Sequence, residues 1–179
     1  DLHIAQTWRM PTLLGDCVTP VAAQQRLGPR WFTGSADAIF QSLNLVYDES
    51  PKYVVVFGAD HVYRMDPQQM VDQFEEWQAS ILAVQEVPAE QTRRYGIVAG
   101  NVVNERVVDV TQMVEKPAPE VAPSRLGVAG RYILTPGVFR EIAAQPRGVG
   151  GEIQLTDGIA SLLRLEKVFA YRYEGRRYD

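Results

Sequence analysis

Disulfides, membrane spans and basic tracts are the features this chain does without. A single cysteine, Cys17, excludes an internal disulfide framework and fits a reducing compartment such as the cytoplasm. No apolar run approaches the roughly 20 residues that cross a bilayer. There is no block of lysine and arginine, and a net charge of -4 argues against a nucleic-acid partner. The opening "DLHIAQTWRM" has neither the basic segment nor the apolar core of a secretion signal, and it lacks an initiator methionine. A chain cut from something longer is therefore expected. What is present is 179 residues, 46% hydrophobic and 22% charged, enough for one domain with a real core.

Strands and helices alternate along it. After the loop "TPVAAQQRLGPRW", Ala36, Ile39, Phe40, Leu43 and Tyr47 recur at helical spacing, with Ser35 as the N-cap. Val54-Val55-Val56-Phe57 reads as a buried strand that ends on Gly58-Ala59-Asp60. "MDPQQMVDQFEEWQA" predicts a helix: Asp66 can cap it, Pro67 suits its first turn, and Met70, Phe74 and Trp77 form its stripe. "SILAVQEV" is almost continuously apolar, as the interior of a parallel sheet requires. "YGIVAGNVVNERVVDVTQMVEKP" predicts two strands joined near Asn101 to Arg106, with Pro117 ending the second. "LGVAGRYILT" predicts a strand, "PGVFREIAAQ" and "EIQLTDGIASLLRLE" helices, and "KVFAYRYEG" a closing strand. No repeat, low-complexity segment or interdomain linker is visible. The expectation is one α/β domain over residues 1-179: a Rossmann-like, mixed, mostly parallel sheet flanked by helices, incomplete at its amino terminus. Ligands of such sheets sit at the carboxyl ends of strands, where Asp60 lies.

Several residues could carry chemistry. A strand-end aspartate such as Asp60 suits Mg2+, which prefers carboxylate oxygen and keeps phosphates as further ligands. It equally suits capping of the next turn or pairing with an arginine. In Glu115-Lys116-Pro117 a carboxylate can accept sugar hydroxyls while an ammonium holds a phosphate; the plainer reading is an exposed charge pair. Gly34 precedes a helix start, where free N–H groups favour a phosphate or a base edge, though an ordinary junction explains it as well. Gln24 and Gln25 offer amides to a base, or to water. Gly96 would let backbone approach a ligand, or simply turn the chain. His61 has no nucleophile beside it in sequence and reads as structural, and Cys17 reads as inert.

In series, "AQQRLGPRWFTGSADAI", "VVVFGADHVYRMD", "YGIV", "VEKP" and "GEIQLTD" resemble the sugar-1-phosphate nucleotidyltransferases, the pyrophosphorylases that make ADP-glucose and UDP-glucose. Residues 1 to about 73 resemble bacterial ADP-glucose pyrophosphorylase. From about Phe74 onward the chain resembles the bacterial UTP-glucose-1-phosphate uridylyltransferase. The resemblance implies a nucleotide-diphospho-sugar transferase fold, Mg2+ as cofactor, and a nucleoside triphosphate (ATP or UTP) and glucose 1-phosphate as substrates. It implies Asp60 and Asp179 as metal ligands, Asp60 and Lys116 as catalytic residues, and a homo-oligomeric full-length parent. Glu115 would hold glucose hydroxyls, Lys116 the sugar phosphate and Gly96 the sugar; Gln24 or Gln25 and Gly34 would meet the base. Glu152 would lie near the sugar.

Departures accompany the match. Phe32, in the substrate-binding set, stands where ADP-glucose enzymes have a tyrosine, and Val128 where they have a serine. The glycine-rich triphosphate loop of the family is absent from this sequence, as is the β-helix domain of full-length ADP-glucose enzymes. The implied activity is adenylyl transfer to glucose 1-phosphate for glycogen biosynthesis, with uridylyl transfer as the alternative. A non-catalytic sugar-nucleotide-binding module is a second alternative. Without the loop, this segment alone is expected to turn over negligibly.

Overall fold

The computed structural model describes residues 2–7, 18–21, 31–59, 62–146 and 151–178. The chain divides into two compact units, residues 1–32 and 33–179. In the first, α1 (Leu2–Thr7) is a short helix in which Thr7 Oγ1 lies 3.3 Å from His3 Nδ1.

The second unit opens with α2 (Ser35–Gln41) and α3 (Leu43–Asp48). Then come β1 (Val54–Phe57), β2 (Val62–Arg64), α4 (Gln68–Trp77) and β3 (Ser80–Glu86). A 3-10 helix (Ala89–Arg94) leads into β4 (Gly96–Val102) and β5 (Val107–Glu115). The chain continues through β6 (Leu126–Leu134), α5 (Gly137–Ala144), α6 (Leu155–Leu162), β7 (Val168–Arg172) and β8 (Arg176–Tyr178). No described helix is long and apolar enough to cross a membrane.

Six strands form one sheet in the order β1-β6-β3-β7-β5-β4, and β2 with β8 forms a separate ribbon. The sheet is mixed, as the sequence predicts, but the expectation that it is mostly parallel needs correction. β1, β3, β4 and β7 run in one direction; β6 and β5, interleaved among them, run the other way. Among the described strands only β3 and β7 therefore share a parallel ladder. The apolar run of β3 is buried, but that of β1, expected to be buried, lies at the sheet edge with Val55 and Phe57 exposed; direction is set by the connections between strands. The β4–β5 link is a tight hairpin, in which Asn104 Oδ1 accepts the N–H groups of Arg106 and Val107 at 2.9 and 2.8 Å.

Period-two alternation sends successive side chains to opposite faces. Leu82, Val84, Val128, Leu134 and Ala170 share one buried cluster with Val138, Phe139, Leu155 and Ile159 from α5 and α6. Ile81, Ala83, Ile133 and Phe169 share the other with Met70 and Phe74 of α4. With helices on both faces, five of the seven β3 residues are fully buried, which is why Ile81 to Val84 form an unbroken apolar run. The helix predicted from Ala36 to Tyr47 is broken at Ser42, whose φ of -105° and ψ of 2° interrupt the helical path. Ser35 does not cap α2; its Oγ accepts the Leu155 N–H at 3.2 Å instead.

The ribbon is anchored on the α4 side of the sheet. The Arg131 guanidinium stacks 4.2 Å from the Phe57 ring and 3.8 Å from the Tyr63 ring, and the Tyr63 hydroxyl donates to the Ala129 carbonyl.

Candidate functional site

The sheet leaves a gap in one edge of β6. β1 pairs with residues 131–134 of that edge and β4 with residues 126 and 127, while the opposite edge is taken by β3. Between these two pairings a cleft of about 200 Å3 opens. Val128, Gly130 and Tyr132 form its floor. Tyr95 and Gly96 line it from the start of β4 and Glu115 from the end of β5; Ser35, Gln154 and Thr156 close it from the helical side. A second, apolar cleft of about 360 Å3 shares Ser35, Gly130 and Tyr132 with the first and runs to Phe57 and Gly58. It thus reaches the carboxyl end of β1.

Glu115 and Gly96 are brought together by the hairpin, where they are register partners. The Glu115 side chain is only 8% exposed, and its Oε2 lies over Gly96, where a Cβ would stand 3.3 Å away. Thr156 presses on the same spot: that Cβ would meet its Cγ2 at 3.0 Å and its Oγ1 at 3.1 Å. Gly96 is therefore small because a carboxylate and a threonine need the space.

Lys116 follows in an unusual backbone conformation, φ = 46°, the left-handed region that side-chain-bearing residues avoid. This breaks the strand alternation that would send its side chain away from that of Glu115. The Nζ instead comes to 3.5 Å from Glu115 Oε1 while the side chain stays 45% exposed. A buried carboxylate and a half-exposed ammonium form a charged pair here, and Arg94 is a further charged residue of the cleft lining. The pair can accept hydroxyls on one group and offer a cation to a phosphate on the other.

Gly34 has φ = 106°, and a Cβ there would stand 2.4 Å from the Ile153 carbonyl oxygen. The backbones on either side are stitched together: Ile153 N–H donates to Thr33 O at 2.7 Å and Ala36 N–H to Ile153 O at 3.1 Å. The structure thus gives its missing side chain a packing role, holding the start of α2 against the approach to α6. Asp37 anchors the same junction, its Oδ2 accepting from Thr33 N–H (2.8 Å), Thr33 Oγ1 (3.0 Å) and Gln41 Nε2 (3.1 Å).

Glu152 is exposed, and its carboxylate accepts from Gln154 Nε2. Phe32 is half-buried and belongs to the first unit. Gln24, Gln25, Asp60 and Asp179 lie outside the described residues, as do His61 and Cys17. The described ribbon of β2 and β8 pairs Val62 with Tyr178. Among the described residues no group of three His, Cys, Asp or Glu side chains could hold a metal ion.

Tyr132, Gln154 and Thr156 line the cleft without having stood out in the sequence. Tyr132 shares a face of β6 with Val128 and Gly130 by strand alternation, a signal the sequence does carry. Gln154 and Thr156 lie within "GEIQLTD", and only the fold shows which of its residues face the cleft. Burial pushes the carboxyl of the neighbouring Asp157 above the usual aspartate range.

A family model described as Nucleotidyl transferase matches residues 2–175. The glucose-1-phosphate adenylyltransferase of Acidothermus cellulolyticus is 57% identical over 144 residues, covering 75% of this chain and 35% of that protein. The Streptomyces coelicolor protein of the same name is 49% identical over 172 residues, covering 88% of this chain and 42% of that one. The chain thus spans roughly a third to two-fifths of these relatives. Among solved structures, a UDP-glucose pyrophosphorylase complexed with UDP-glucose matches with a TM-score of 0.78 and 33% identity, over 84% of this chain and 58% of that one. A UTP-bound UGPase from Acinetobacter baumannii matches at 0.67 and 30%, over 80% and 50%.

Proposed function

Since the chain belongs to the nucleotidyl transferase family, we propose that its full-length parent transfers a nucleotidyl group from a nucleoside triphosphate to glucose 1-phosphate. The products are ADP-glucose, which feeds glycogen synthesis, and pyrophosphate. The two units are read as parts of one nucleotidyltransferase domain, since the family match runs through both. The observation that carries the proposal is the Glu115–Lys116 pair, with its buried carboxylate in the cleft and its ammonium half-exposed beside it.

The chemistry follows from charge. With its second pKa at about 6, a sugar phosphate is largely dianionic at neutral pH. An oxygen of this dianion attacks the α-phosphorus, the bond from that phosphorus to the bridging oxygen breaks, and pyrophosphate leaves with the electron pair. No general base is required. Catalysis then rests on positioning and on neutralising phosphate charge. In this reading Glu115 accepts glucose hydroxyls, the backbone of Gly96 meets the sugar, and Lys116 aligns the attacking phosphate. Glu152 borders the sugar side. Gln24, Gln25, Phe32 and Gly34 are proposed for the base.

Asp60 and Asp179 would hold Mg2+; two hard carboxylates suit that ion, and it supplies neutralisation of phosphate charge. The pairing of their near neighbours Val62 and Tyr178 supports grouping these two residues. The substrates and the single cysteine favour a cytoplasmic protein, and a homo-oligomeric parent is part of the same reading.

Lys116→Ala in the full-length protein tests the assignment. The apparent KM for glucose 1-phosphate should rise about 10- to 100-fold, the worth of one charge-assisted contact to phosphate, with the triphosphate KM little changed. Equal effects on both substrates would sink the role given to Lys116. The likeness to UDP-glucose pyrophosphorylases favours uridylyl transfer as the second reading. If the full-length protein binds ADP-glucose or UDP-glucose by calorimetry but releases no pyrophosphate, a non-catalytic binding module is indicated instead.

A further inference from the structure

Building on the sugar-phosphate reading above, we infer that Thr92 is a positioning residue for Lys116, although it lines neither cleft. The left-handed backbone at Lys116 is unfavourable for a lysine and persists only if its surroundings impose it. Two contacts do so. The Lys116 N–H donates to the Tyr95 carbonyl at 3.0 Å, and the Thr92 hydroxyl donates to the carbonyl of the next residue, Pro117, at 3.1 Å. Thr92 also governs the first contact from behind, because its own carbonyl accepts the Tyr95 N–H at 3.2 Å. One residue thus fastens both the turn and the strand start against which the turn is held.

Thr92 is 1% exposed, so its hydroxyl has no water to bond instead. Its Oγ1 lies 2.9 Å from the Ala89 carbonyl as well, and its single proton is shared between a local acceptor and the distant turn. The bond to Ala89 only closes the 3-10 helix. The bond to Pro117 spans 25 residues and fixes the direction in which the chain leaves Glu115. That direction determines whether the ammonium returns to the carboxylate or follows the strand to the other face.

The test is a set of steady-state measurements on the full-length protein. Thr92→Val keeps the shape and removes the hydroxyl. It should raise the glucose 1-phosphate KM about 3- to 10-fold, the worth of one backbone-directed hydrogen bond, while kcat and the triphosphate KM stay within twofold. Thr92→Ala, equally without the hydroxyl, should show the same split if the valine variant does not fold. Thr92→Ser should return the KM to within twofold of the original. Added to Lys116→Ala, Thr92→Val should cause little further rise, since both act through one ammonium. An unchanged glucose 1-phosphate KM, equal effects on both substrates, failure of serine to rescue, or full additivity with Lys116→Ala would each overturn the inference. If Lys116→Ala raises that KM and Thr92→Val does not, the role of Thr92 falls alone. If Lys116→Ala itself has no effect, the sugar-phosphate reading falls, and the role of Thr92 with it.

Discussion

At Gly96 the hydrogen atom on Cα faces a carboxylate and a threonine methyl, and that crowding is what a substitution would disturb. Gly96→Ala places a methyl 3.0 Å from Thr156 Cγ2 and 3.3 Å from Glu115 Oε2. The flexible carboxylate will yield before the helix does, so the sugar contact should suffer more than the fold. The expected outcome is a loss of about 1–3 kcal/mol in stability, seen as a modest fall in Tm, together with loss of calorimetric glucose 1-phosphate binding by the full-length protein. Retained binding would mean that Glu115 does not hold the sugar. Gly96, Glu115 and Lys116 stand out in the sequence through the family motifs "YGIV" and "VEKP", since taken singly each has a plainer reading. Tyr132 and Thr156 do not stand out: strand alternation puts Tyr132 on one face with Val128 and Gly130, but only the fold turns that face, and the threonine, towards one cleft.

Elements owe their placement to junctions that no single helix or strand encodes. At Gly34 two distant segments come within hydrogen-bonding distance, and an alanine there would combine a left-handed φ with a methyl 2.4 Å from a carbonyl oxygen. Gly34→Ala should cost about 2–3 kcal/mol, measured by chemical denaturation; a loss below 0.5 kcal/mol on the same scale would refute the close approach. α6 carries a second test. Burial raises the Asp157 carboxyl pKa, so the folded state holds its proton more tightly than the unfolded one. Stability from this group is full below the unfolded pKa and is lost as pH rises through the folded value. Asp157→Asn should therefore raise Tm at pH 7 and leave it nearly unchanged at pH 3. The amino terminus of α6 favours the anion, so a fall in Tm at pH 7 would show that the helix end outweighs burial. The ribbon of β2 and β8 has no such sequence signature. Three residues a side are too few for a periodic pattern, and its pairing closes across more than a hundred positions.

Over the whole molecule, the interleaving of β6 and β5 among strands of the other direction decides where the cleft lies. The gap in β6 exists because β1 and β4 share one of its edges without meeting. The adenylyltransferase likeness is not confined to the first 73 residues, since one match runs over 172. In the full-length protein, kcat/KM with ATP should exceed that with UTP by at least about tenfold, one contact's worth of discrimination, measured by coupled pyrophosphate release. A preference for UTP would favour the reading drawn from the solved structures.

Composition and periodicity by themselves determined that this chain makes an α/β sheet with helices on both faces. They also placed most strands and helices, and set an acid and a base side by side where a strand ends. Those are local properties, fixed by which side chains shun water and which residues stop a strand. Only the tertiary structure decided the strand directions, the ribbon, the gap in β6 and the turn that brings Lys116 back to Glu115. Each depends on contacts between residues far apart in the chain, whose energy exists only once both partners are in place.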